Sequence, residues 1–428
     1  MQNHFGDRIL RNFASPYGLA GASFFVFFIA WLIPPSIYSP VMNERDILFL
    51  NPPTFFFYTL CVLGFIFGVW ITSPRDLPLY VPKLFSRIPA TLFLVLPLLA
   101  GLLMTTWAIL QMFKQVPNLL VLIAAQQGQS IKSGILLDAQ DQLAVTAPIL
   151  VGLSWWAQWR FWQLDLTGWR AWCVRLMILT AILVIIGSSV LLVFRFPIME
   201  TVAGLFLLYV LHREAEGRLS WSFIAGMCGI FIIGLIVLFG AFAFIRGTSS
   251  LDMQFQLLFG YTIASYNRLA AEITGALHYS YPGVRLSDFV GFNKTLHHLI
   301  PVDRIFNWPD YGDLAASEFA SVDRAGLNGG LIWPGAFGYI FIDLGWFSPF
   351  WLILYGMVYG VAWKAMRRSS AAGVTIYPYF GFCVLFWIGS NMLLASSLVP
   401  FVKYAIYLTI YEKLLLRKTK DAEIALTP

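Results

Sequence analysis

Ten stretches of this chain read as candidates to cross a lipid bilayer, the fourth of them short, and they leave little room for anything else. A spanning helix needs about 20 mostly apolar residues. Candidates lie at 17–33, 53–73, 89–112, 144–158, 173–193, 196–212, 220–245, 336–362, 375–397 and 400–416. Only 12% of the 428 residues are charged, about half the share usual in soluble domains. The pattern predicts an all-α polytopic integral membrane protein with about ten transmembrane helices. Seven spans fill 1–245, one long polar loop fills 246–335, and three spans and a tail fill 336–428.

Lysine and arginine set the expected orientation, because cytoplasmic loops retain them. With the N-terminus inside, the inner segments hold 17 of the 28 basic residues, among them Arg75, Lys83, Arg87, Arg367, Arg368 and Lys418. Ten spans then put both termini in the cytoplasm and 246–335 outside. The net charge of +6 is thus mostly a topology signal and does not point to nucleic acid. Arg8 and Arg11 precede an apolar run that leads into "IPPSIYSP" rather than a small-residue cleavage site, so an uncleaved first span is expected. Cys61, Cys173, Cys228 and Cys383 all sit inside apolar runs, which fits buried filler rather than a disulfide framework.

The polar residues gather in the outer loop. It carries six basic and eight acidic residues and three of the five histidines, His278, His297 and His298. Within it Tyr261, Ser265, Arg268 and Glu272 are spaced i, i+4, i+7, i+11 and share one helical face. An amphipathic helix at the outer interface fits. Arg268 has two readings, an i,i+4 pair with Glu272 or a cation facing a ligand. Trp308, Tyr311 and Trp333 offer flat faces suited to sugar rings, or to an interfacial aromatic belt.

Charges at membrane depth are costly and usually functional. Arg195, in "LLVFRFPIMETVAGLF", belongs at the outer surface, and Arg246 at a similar depth. Each is either a snorkelling anchor or a fixed cation for an anionic lipid head. Glu200 is placed to pair with Arg195. Lys403 and Asp343 read more simply as an interfacial residue and a helix-packing group.

Taken together, the arginine that opens "FRFPIMETVAGLFLLYVL", the long outer loop and the closing "AGLNGGLIWPGAFGYIFIDLGWFSPFWLILYGMVYG" resemble the Wzy-type oligosaccharide repeat-unit polymerases, relatives of the O-antigen ligases. The resemblance covers about the second half of the chain and includes "IFIDLG" at Ile340–Gly345. It implies a GT-C-like glycosyltransferase with no cofactor and no metal, facing the periplasm from the bacterial inner membrane. Donor and acceptor are undecaprenyl-pyrophosphate-linked oligosaccharides, with a chain-length regulator and a flippase as possible membrane partners. Arg195, Arg246, Arg268, Arg304, Arg324 and Tyr261 would bind substrate and pyrophosphate, arginine being a bidentate phosphate ligand. His298 or His297, then Asp310 or Asp313, would be the general base. No Walker or Rossmann loop is present. An O-antigen-ligase-like glycan transferase is the nearer alternative, and a secondary transporter, which calls for repeated halves and charge near the midplane, is the alternative of a different class.

Overall fold

The computed structural model describes residues 10, 12–42, 44, 49–73, 78–116, 118–125, 137–245, 256, 259–279, 311–329, 331, 333–389 and 398–417; the side chains of 137–142, 144, 261 and 311–316 are not among them. The described chain is almost wholly helical. In order come α1 (Pro16–Trp31), α2 (Pro35–Met42), α3 (Pro52–Thr72), α4 (Ala90–Gln115), α5 (Leu119–Ala124), α6 (Leu137–Gln163), α7 (Gly168–Leu191), α8 (Phe196–Ala215) and α9 (Trp221–Ile245). A π-helical turn (Gly260–Ala264) leads into α10 (Ser265–Ile273), followed by α11 (Tyr311–Arg324), α12 (Gly335–Leu344), α13 (Ser348–Arg367), α14 (Ala371–Leu385) and α15 (Leu398–Leu415).

Local chemistry sets the helix starts. Ser15 and Asn51 accept from the backbone amides of Gly18 (3.3 Å) and Thr54 (3.0 Å), and each is followed by a proline at the first helical position. Among the described residues six helical stretches are long and apolar enough to span a membrane, α12 and α13 together (Gly335–Arg367) counting as one, or seven if the pair α1 and α2, bent by 92°, is one broken span. The expectation of ten is thus met in part. Alongside the six run α6, α14 and α15. The sequence segment 336–362 is interrupted, because Gly345 at φ +54° ends α12 and a 3-10 turn precedes α13.

Glycines bring α3 and α13 into direct backbone contact. A Cβ on Gly68 would lie 2.0 Å from the carbonyl oxygen of Ile353, and one on Gly356 would lie 2.0 Å from that of Phe65. Gly64 meets Pro349 and Gly360 meets Thr72 in the same register, so the two helices run parallel. Two small-xxx-small pairs, Gly64/Gly68 and Gly356/Gly360, allow this approach. Thr72 Oγ1 adds a bond to Met357 O at 3.1 Å.

One end of the bundle is tied by backbone and buried charge. The segment 78–88 crosses it, donating from Tyr80 N to Arg367 O (2.8 Å), Leu84 N to Gln163 O (3.1 Å) and Arg87 N to Leu415 O (2.7 Å). Phe85–Ser86 (β1) pairs antiparallel with Leu416–Arg417 (β2). Arg160, 1% exposed, forks onto Glu412 at 2.5 and 2.8 Å, and Arg367 meets Glu214 at 2.6 Å. The other end carries α2, α10, α11 and α12, with residues 246–255 and 280–310 outside the described set.

Candidate functional site

At that second end α10 is not laid on a surface. Every residue from Ser265 to Ala271 is buried, and the helix packs on α12, α3 and α1. Tyr266 stands edge-on to Phe27 and Tyr58. The interfacial amphipathic helix expected from the sequence is therefore an internal one. Its entry is a π-turn, a feature that often marks functional positions. Gly260 opens the turn because a Cβ there would reach 2.5 Å from Leu331.

Arg268 is fully buried and all five of its N–H donors are engaged. Nε donates to Leu331 O (2.6 Å), Nη1 to Tyr38 Oη (3.1 Å) and Ala264 O (3.3 Å), and Nη2 to Asn328 O (3.1 Å) and the Glu44 carboxylate. Glu44 also accepts from Tyr38 Oη (2.5 Å) and Asn328 N (2.9 Å). The ion pair anticipated with Glu272 is thus replaced by one with Glu44, across 224 residues. The guanidinium that the sequence offered to a pyrophosphate here joins α2, α10 and the turn at 328–331; a phosphate would have to displace Glu44 to reach it.

Arg195 sits differently. It is the residue before α8, 5% exposed, and its guanidinium lies 4.1 Å from the centre of the Phe239 ring on α9. Phe239 lines an apolar crevice of about 270 Å³ between α8, α9 and α14. Phe231, Leu235 and Ile236 form one wall, Phe382, Leu385 and Phe386 another, and Met199 and Thr262 complete it. Phe196 packs on Phe386 (5.3 Å) and Trp333 (6.4 Å). Arg195, the π-turn that contains Tyr261, and Trp333 are thus gathered at one end of the crevice. The anticipated Arg195–Glu200 pair does not form: Glu200 is 1% exposed and its Oε2 has no hydrogen-bond partner among the described residues.

The remaining expected residues divide into two groups. His297, His298, Asp310, Arg246 and Arg304 lie outside the described residues, and Asp313 falls in α11 without a described side chain. Arg324 is exposed at the end of α11 and bonds within its own helix, to Ala320 O (3.2 Å) and Ser321 Oγ (3.0 Å). Sequence reasoning missed Glu44 and Tyr38, which nothing in "SIYSPVMNERD" ties to Arg268. It gave Glu272 only a structural role. That carboxyl is half-buried, its Oε2 has no hydrogen-bond partner among the described residues, and burial pushes it up to about 7 against a weaker opposing bond from the Tyr279 backbone. A carboxyl in that range suits proton exchange at neutral pH. Among the described residues no three His, Cys, Asp or Glu side chains converge as a metal site. Comparison with family models, characterised proteins and solved structures finds no match to this chain.

Proposed function

We propose that the protein is a polysaccharide polymerase, joining polyprenyl-pyrophosphate-linked oligosaccharide repeat units by metal-independent glycosyl transfer at the outer face of a bacterial inner membrane. The observation that carries this reading is the guanidinium of Arg195 resting on Phe239 at the edge of an apolar crevice. A long hydrocarbon chain with an anionic head has the complementary shape and charge. The chain fills the crevice, and Arg195 neutralises charge on the pyrophosphate as it leaves. Arg246, Arg304 and Arg324 are the further cations of the loop. His297, His298, Asp310 and Asp313 remain the candidate bases for the acceptor hydroxyl, joined now by Glu272. Arg268 drops from the binding set to a supporting one. A flippase and a chain-length regulator are the expected partners in the membrane.

The test is the glycan profile of a deletion strain complemented with wild type or with Arg195→Lys. Lysine keeps the charge and loses the bidentate fork. The deletion strain is expected to accumulate lipid capped with a single repeat, and Arg195→Lys to restore little polymer while the protein remains folded. Wild-type chain lengths from Arg195→Lys overturn the role of Arg195. Accumulation of long lipid-linked chains in the deletion strain makes the protein a ligase.

A further inference from the structure

We propose that Glu200 is a proton-binding site inside the bundle, a carboxylic acid held neutral beside the Arg195 crevice. Glu200 lies in the second turn of α8, 1% exposed, and its Oε2 meets no hydrogen-bond partner among the described residues. An ionised carboxylate in such a place lacks both water and a counter-charge, whereas a protonated one is tolerated. Ionisable groups retained at this depth commonly mark proton or ion pathways.

The groups that face it are few. On its own helix Arg195 is five residues back, about 7.5 Å along the axis. On α14 Cys383 is close enough to interact electrostatically with Glu200, and Cys383 is itself hydrogen-bonded with Tyr379 and with Tyr359 of α13. On α6 and α7 the cations Arg160, Arg170 and Arg175 lie towards the opposite end, α6 also carries Asp138 and Asp141 in its first turns, whose side chains are outside the described set, and α9 offers only Cys228. Hence no described cation pairs with Glu200, and the charge of Arg195 would reach it only through space.

Met199, the preceding residue, lines the crevice. The far wall is α9, which buries only Ile224, Phe242 and Ala243 within the bundle. Proton exchange at Glu200 would change the charge a little over one helical turn from Arg195. The site stands whether or not the crevice takes a lipid.

Infrared difference spectroscopy on the purified full chain in detergent tests this. Wild type minus Glu200→Gln is expected to show a carboxylic-acid C=O stretch at neutral pH that shifts in D₂O and disappears under alkaline conditions. Arg195→Gln, which removes the positive field favouring the ionised form, should move that disappearance to higher pH. Glu200→Asp, which keeps the acid but shortens it by one methylene, serves as the second variant and should move the band rather than abolish it. A wild type with no acid band at neutral pH, or one whose acid band Glu200→Gln and Glu200→Asp both leave unchanged, overturns the proposal. So does a disappearance that Arg195→Gln does not shift.

Discussion

The guanidinium of Arg268 closes on the carboxylate of Glu44 across 224 residues of chain, with neither side chain exposed to solvent. One group comes from the polar segment after the first bent helix pair, the other from the loop helix α10. The pair ties α10 and the turn at Asn328 and Leu331 to the segment that follows α2.

Breaking this pair should cost stability before it costs chemistry. Removal of one partner of a buried ion pair typically loses about 3–5 kcal/mol. Arg268→Lys keeps the charge but cannot serve Leu331 O, Asn328 O and Glu44 together. Both Arg268→Lys and Glu44→Gln are therefore expected to lower the melting temperature in detergent and to reduce the yield of folded protein. An unchanged melting temperature for Arg268→Lys would return that residue to a ligand role.

The contact between α3 and α13 should reject even one methyl group. Gly68→Ala and Gly356→Ala place a Cβ 2.0 Å from a backbone oxygen, and overpacking of this kind costs about 1–3 kcal/mol or more. Gly187 and Gly226 face open space, so alanine there should stay within about 0.5 kcal/mol of wild type. Thermal unfolding of the four variants decides the matter; equal behaviour would mean that the two helices are not packed this closely.

Glu272 should give the fold a pH dependence. Its carboxyl is held at about 7 in the folded protein, above its ordinary value of 4.5. Between those values the folded state binds more protons than the unfolded chain, so stability is highest below 4.5 and declines as pH rises through 7. The group is only half-buried, so screening keeps the decline shallow. Melting temperatures over this range should fall for wild type and fall less for Glu272→Gln; parallel curves would remove Glu272 as the cause.

The two ends of the bundle should label from opposite sides. Ala320 is exposed on α11 at one end and Arg218 is exposed beyond α8 at the other. In intact cells with a permeable outer envelope, a membrane-impermeant thiol reagent is expected to modify Ala320→Cys and to spare Arg218→Cys. The reverse pattern inverts the orientation given by the basic residues.

The helical, membrane-spanning character was legible because apolar runs of bilayer length have few other fates. The breaks were harder to see. Pro34 and Pro35 were read as a missing cleavage site, yet they mark the 92° bend between α1 and α2. The span expected at 336–362 is present as Gly335–Arg367, but its local break at Gly345, with positive φ, between α12 and α13 was not foreseen. The spacings Gly64/Gly68 and Gly356/Gly360 were present in the sequence and show their purpose only when α3 and α13 are side by side. Arg195 was legible as a charge at the end of an apolar run. The partner of Arg268 was not, because no local pattern links a loop arginine to a glutamate 224 residues away.

The pairing of α3 with α13 also bears on how the protein is made. Thr72 and Met357 are 285 residues apart. At roughly 5–20 residues per second of synthesis, α3 waits about 15–60 s in the bilayer before its partner leaves the ribosome. Throughout that interval the notches at Gly64 and Gly68 lack the α13 backbone that fills them in the fold. Any chain that terminates before Ser348 never fills them, so early truncations should be cleared by membrane quality control rather than persist as half-bundles.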